Sequence, residues 1–118
     1  MNKKEISRLG EDYISHYLIK NYHKILERNY ISKNKEKSKK EIDIIAQKNE
    51  VIHFIEVKTS KYDISFAIQK MNEKKIKNIK ECAQDYISNF LNKEYDFSFD
   101  FAYYNYITKK FIYIKQAY

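Results

Sequence analysis

At 118 residues the chain has room for a single hydrophobic core and one domain, 1–118, of ordinary size. Its 43% hydrophobic and 16% aromatic content excludes a disordered chain, its single cysteine, Cys82, excludes an internal disulfide framework, and no apolar run approaches a membrane span. The formal charge of +7 points towards a polyanionic partner, although all the basic residues except Arg8 and Arg28 are lysine, a bias that AT-rich coding produces by itself.

Residues 3–22 place Ile6, Leu9, Tyr13, Ile14, Tyr17 and Leu18 at helical spacing, which predicts an amphipathic helix with these side chains on one face. Gly10, the sole glycine, falls in that face, where a missing Cβ lets another backbone approach closely. Glu11 lies at the edge of the apolar arc, placed to reach over a sheet. Residues 24–31 read as a first strand. Residues 32–40 carry five lysines and no apolar side chain; they read as a mobile loop able to track a phosphate backbone.

Residues 41–58 are two apolar, β-branched runs around a polar turn, a β-hairpin pattern. With Asn49-Glu50 as a two-residue turn, Asp43 lies opposite Glu56, Glu41 opposite Lys58, and Ile45 opposite Phe54. Side chains alternate along a strand, so these six share one face, while Ile42, Ile44, Ile55 and Val57 pack on the other. Two carboxylates and an ammonium then meet at one end of an apolar ribbon, where charge is costly unless it pairs, binds a metal or does chemistry.

Residues 59–71 are ambiguous between connector, short strand and short helix. Asn72 is a plausible N-cap for a helix over 73–91, with Lys75 at the margin of its apolar face. Strands follow at 97–106, with Asp100 on the face opposite Phe97, Phe99, Phe101 and Tyr103, and at 111–115. The order α-β-β-β-α-β-β predicts an α+β or α/β sandwich with a mixed central sheet flanked by helices.

Two acids followed by a base suit Mg²⁺-dependent phosphodiester cleavage. Mg²⁺ takes hard oxygen ligands, often one or two carboxylates completed by water and phosphate. Asp43 and Glu56 supply the carboxylates, the carbonyl of Val57 can add an oxygen, and Lys58 is suited to stabilising developing negative charge. The three histidines lack zinc-ligand spacing with each other or with Cys82, and one glycine cannot build a phosphate loop.

The strings Glu41-Ile42-Asp43 and Glu56-Val57-Lys58 resemble the PD-(D/E)XK nuclease signature. Together with Gly10-Glu11, Tyr17-Leu18, Asn29-Tyr30, Lys75, Tyr86-Ile87 and Phe99-Asp100, they make nearly the whole chain resemble the YraN-like family of small bacterial proteins, whose fold is similar to archaeal Holliday junction resolvases. The resemblance implies a restriction-endonuclease-like αβββαβ core. It also implies metal ligands at Asp43 and Glu56 for Mg²⁺ or Mn²⁺, a catalytic lysine at Lys58 and a site-lining Glu11. Lys75 matches a recurring family lysine suited to substrate phosphate, and Lys39, Lys40 and Lys61 are further candidates for that contact. The chain departs from the family at Lys40, where a glycine is usual, and at Ser60, where a basic residue is usual. The expectation is a cytoplasmic, metal-dependent endonuclease acting on DNA, branched or damaged DNA included, and a homodimer as resolvase-like enzymes often are. The alternative is a nucleic-acid-binding accessory protein of DNA processing or uptake without turnover.

Overall fold

The computed structural model describes residues 1–33 and 40–118. Helix α1 (Lys3–Lys20) is capped by the Asn2 side chain, which accepts from the Glu5 N–H. It stops two residues short of the expected end, because Tyr22 turns the chain with a left-handed φ of 67°. Strands β1 (Lys24–Ile31), β2 (Glu41–Lys48) and β3 (Val51–Ser60) follow. The ambiguous stretch continues β3 to Ser60 and then forms a short helix, α2 (Ile64–Ile68), capped by Asp63. Helix α3 (Glu73–Phe90) starts at its Asn72 cap, and strands β4 (Asp96–Asn105) and β5 (Phe111–Ile114) complete the chain. Among the described residues no helix is long and apolar enough to cross a membrane.

The five strands form one sheet in the order β1-β2-β3-β4-β5. Only β3 and β4 run parallel, joined by the α2–α3 crossover. The result is a mixed α+β architecture consistent with a restriction-endonuclease-like core. In the hairpin, Lys48 opposes Val51, Ile45 opposes Phe54 and Ile44 opposes Ile55, the register set by a turn at Asn49-Glu50, where Asn49 takes φ 54°.

Each face of the sheet carries one long helix. Ile14 and Leu18 of α1 pack on Ile44, Ala46, Ile55, Val57 and Ala102, while Ile79, Cys82, Ala83 and Tyr86 of α3 pack on Ile42, Ile45, Ile52 and Phe54. Ile42 is thus on the α3 side and not with Ile44, because alternation breaks between them. The buried stripe of α1 is also rotated from the expected one: Gly10, Glu11, Ile14, Ser15 and Leu18 face inward, and Leu9 and Tyr13 are partly exposed. The cause is Gly10. A Cβ there would stand 1.7 Å from Thr59 Oγ1, so the helix seats on β3 along the line of its glycine. The close neighbour is a side chain and not the backbone that was expected.

Candidate functional site

The site forms where β2 parts from β3. Continuing the hairpin register would set Val57 against Ile42, but the Val57 N–H donates to Asp43 Oδ2 at 2.8 Å. The ladder opens after the Ile44–Ile55 pair, and the Asp43 carboxylate occupies the opening. Strand β1 bends at the same level. Arg28 pairs with Ile44 and Tyr30 with Ile42, while Asn29 between them adopts φ 54°, a conformation that asparagine tolerates better than most residues. Both strands therefore change face together, which carries Tyr30 and Ile42 to the α3 layer.

Asp43 and Glu56 lie side by side and hydrogen-bond each other. Burial, then the neighbouring Glu56 charge and that hydrogen bond, push the Asp43 carboxyl well above the usual carboxylate range. Glu56 is 3% exposed, and its Oε2 meets the Lys75 ammonium at 3.1 Å and the Lys58 ammonium at 3.4 Å. Burial alone would lower the Lys75 pKa, but the Glu56 charge and hydrogen bond outweigh it and hold Lys75 above its ordinary value. Lys58 therefore pairs with Glu56 and not with Glu41, which is registered against Ile31 of β1.

Glu11 reaches over the sheet from α1 and is buried. Desolvation raises its pKa, opposed by the Asn29 side-chain amide and by the Arg28 charge. Arg28 lies 3.6 Å from Glu11 and 2.8 Å from Asp12, so it braces α1 on β1.

These groups line one open cleft of about 1010 Å³. Glu11, Glu41, Asp43 and Glu56 are its acids. Its cations are Lys3, Lys4 and Arg8 from the start of α1, Arg28, Lys58, Lys61 and Lys70 around α2, and Lys75 from α3. Glu11, Asp43, Glu56, Val57, Lys58, Lys61 and Lys75 are thus brought together. Lys40 is not: its ammonium is ion-paired with Glu81 of α3, outside the cleft lining. Lys39 lies outside the described residues.

Comparison with known proteins gives the kinship. The profile described as "Uncharacterised protein family UPF0102" matches residues 10–103. The chain belongs to the UPF0102 family. This is the family that the YraN-like resemblance named. A UPF0102 protein of Dictyoglomus turgidum is 39% identical over 90 residues, covering 75% of this chain and 72% of that protein. One from Fusobacterium nucleatum is 40% identical over 101 residues, covering 85% and 81%. The span matched by the family begins at Gly10 and contains Glu11, Asp43, Glu56, Lys58 and Lys75; Lys3, Lys4, Arg8 and β5 lie outside it.

Several lining residues did not emerge as site candidates from sequence. For Lys4 and Arg8 a signal existed, because they stand seven and three positions before Glu11 and so share its helical face. Asn29 entered only as part of the family resemblance, since an isolated asparagine in a strand does not by itself announce a left-handed φ.

Proposed function

We propose that the cleft binds nucleic acid, DNA in the first instance, and hydrolyses a phosphodiester with the help of a divalent metal. The observation that carries this reading is the Asp43–Glu56 pair, Glu56 buried and Asp43 half-buried, flanked by Lys58 and Lys75, on the floor of a cleft rimmed by cations. Two carboxylates pressed together out of water need positive charge between them. The Lys58 and Lys75 ammoniums provide part of it, and a hard divalent cation held between the carboxylates would provide the rest. Among the described residues no three His, Cys, Asp or Glu side chains gather as a complete ligand set. The donors on the floor are hard oxygens, which fit Mg²⁺ or Mn²⁺, ions that complete their shells with water and phosphate, better than zinc.

Asp43, Glu56 and the Val57 carbonyl would hold the ion. When bound, it would acidify a water and neutralise charge on the phosphoryl group. The remaining residues have roles of their own. Lys58, anchored on Glu56, meets the negative charge that develops as the bond breaks. Lys75 meets a phosphate oxygen. Glu11, held by Asn29 and Arg28, lines the far wall and orients what enters. The lysines and arginine of α1 follow the strand away from the floor.

The test is purified protein with Mg²⁺ or Mn²⁺ on duplex, single-stranded and four-way-junction DNA. Cleavage is expected with either metal, abolished by Asp43→Ala and lowered about 100- to 1000-fold by Lys58→Ala. Cleavage that survives both changes would place the activity in another protein. Salt-dependent binding with no product under any metal would make this a binding protein without turnover.

A further inference from the structure

At the mouth of the cleft, where β3 ends, two aromatic rings face solvent. Tyr62 is 52% exposed and Phe66 44% exposed, with ring centroids 5.0 Å apart. Burial does not explain them, because α2 is anchored by other residues: Ala67 is buried and Ile64 packs inward beside Phe101 and Tyr103. Tyr62 is nonetheless held firmly. Its N–H donates to Ser60 Oγ at 3.1 Å, and its carbonyl accepts from the Tyr103 hydroxyl and from Asn105 Nδ2 at 3.3 Å. Each ring also has a lysine over one face, Lys61 at 5.5 Å from the Tyr62 centroid and Lys70 at 4.7 Å from that of Phe66. Tyr62, Lys61 and Lys70 all line the cleft that holds Asp43 and Glu56.

We infer that the Tyr62–Phe66 shelf stacks unpaired bases, so that the site takes a strand with single-stranded or splayed nucleotides beside the phosphate on its floor. The inference rests on the nucleic-acid reading of the cleft and names its substrate class. With its backbone held, the Tyr62 ring has only its own side-chain torsions to order, and each base stacked on an aromatic side chain adds affinity whatever the sequence. Lys61 and Lys70, each over one ring face at 5.5 and 4.7 Å, keep positive charge beside the rings and within reach of the phosphates of a strand that stacks there. A continuous duplex cannot use the shelf, because its base faces are covered by their own neighbours. A protein partner would use the apolar surface and leave the ring of cations unmatched, whereas a nucleic-acid strand matches both.

The experiment measures fluorescence anisotropy in EDTA, which prevents cleavage, with labelled oligothymidylate and a strand of equal length built from abasic tetrahydrofuran residues. The two carry the same phosphates and differ in bases. The protein should bind the thymidylate strand about fivefold or more tightly than the abasic one, the low end of the effect of one stacked base. The double change Tyr62→Leu and Phe66→Leu, which keeps apolar bulk without an aromatic face, should remove that preference and leave abasic affinity unchanged. Equal binding of both strands by the unaltered protein, or equal loss of both in the variant, would overturn the shelf. If metal-dependent cleavage of duplex persists in that case, the shelf alone fails. If neither strand binds and nothing is cleaved, the reading beneath it fails too.

Discussion

Gly10 has no room for a side chain: the added Cβ would lie 1.7 Å from Thr59 Oγ1 and 2.9 Å from Thr59 Cβ. Gly10→Ala should therefore destabilise the protein by about 1–3 kcal/mol in urea unfolding, even though alanine favours a helix by about 1 kcal/mol over glycine. Adding Thr59→Ala removes the nearest atom and should recover part of the loss; a loss unchanged by that second substitution would mean that the contact is not the cause. Asn29 permits a finer separation. Asn29→Gly keeps the backbone at φ 54° without strain but removes the hydrogen bond to Glu11, so the Glu11 pKa should rise further, readable by NMR titration. Asn29→Ala should lose the same bond and cost about 1–2 kcal/mol more for the left-handed backbone. At this scale the sequence was partly legible. A lone glycine in an apolar helix face announced a close approach, but its partner, Thr59, lies on a strand 49 positions later. The ion pair of Lys40 with Glu81 was hidden for the same reason, as a lysine loop read in isolation has no visible acid.

Between elements, a dense polar tie outside the cleft is centred on Asp100, wholly buried in β4. It accepts from His53 Nδ1 of β3 at 2.7 Å, from Ser98 Oγ at 2.5 Å, from the Tyr113 hydroxyl of β5 and from the Gln116 N–H at 3.1 Å. Burial alone would raise its pKa; these hydrogen bonds outweigh burial and hold it below the ordinary value. A carboxylate depressed in the folded state contributes stability that is complete above its unfolded pKa and lost as pH falls through the folded one. The protein should therefore lose stability as pH drops below about 4, and Asp100→Asn should flatten that loss. At neutral pH the same change should cost about 1–3 kcal/mol, since an amide nitrogen then faces groups that all arrive as donors. Thermal melts across pH 2.5–7, a range chosen to span the aspartate pKa of about 3.9, provide the check. Sequence alternation placed Asp100 opposite the Phe97–Phe99–Phe101 face, but its role depends on His53 and Tyr113, which local pattern cannot pair. Helix α2 was illegible because five residues give no helical period, whereas α3 declared itself through its Asn72 cap and long apolar stripe.

For the molecule as a whole, a formal charge of +7 matters less than where it lies. The hairpin was readable because a two-residue turn fixes register, and register places Asp43, Glu56 and Lys58 at one end of the ribbon. The parting of β2 from β3 was not readable. It needs β1 to bend at Asn29, and it turns a flat pair of strands into a floor with walls from α1 and α3. The cations follow that shape and not the density of lysine in the sequence: Lys4 and Arg8 line the cleft, while Lys40 is neutralised by Glu81. Among the described residues no carboxylate forms an ion pair with Lys4 or Arg8. Each cation that neutralises a phosphate releases counterions, so the logarithm of affinity falls with the logarithm of salt by about 0.9 per contact on duplex DNA. Measured by anisotropy in EDTA over a salt series, Lys4→Ala and Arg8→Ala should each lower that slope by about one. Lys40→Ala should leave it unchanged. A slope that responds to Lys40 and ignores Lys4 and Arg8 would move the proposed path of a strand from the α1 wall to the α3 side of the sheet, and the role proposed for Glu11 would fall with it.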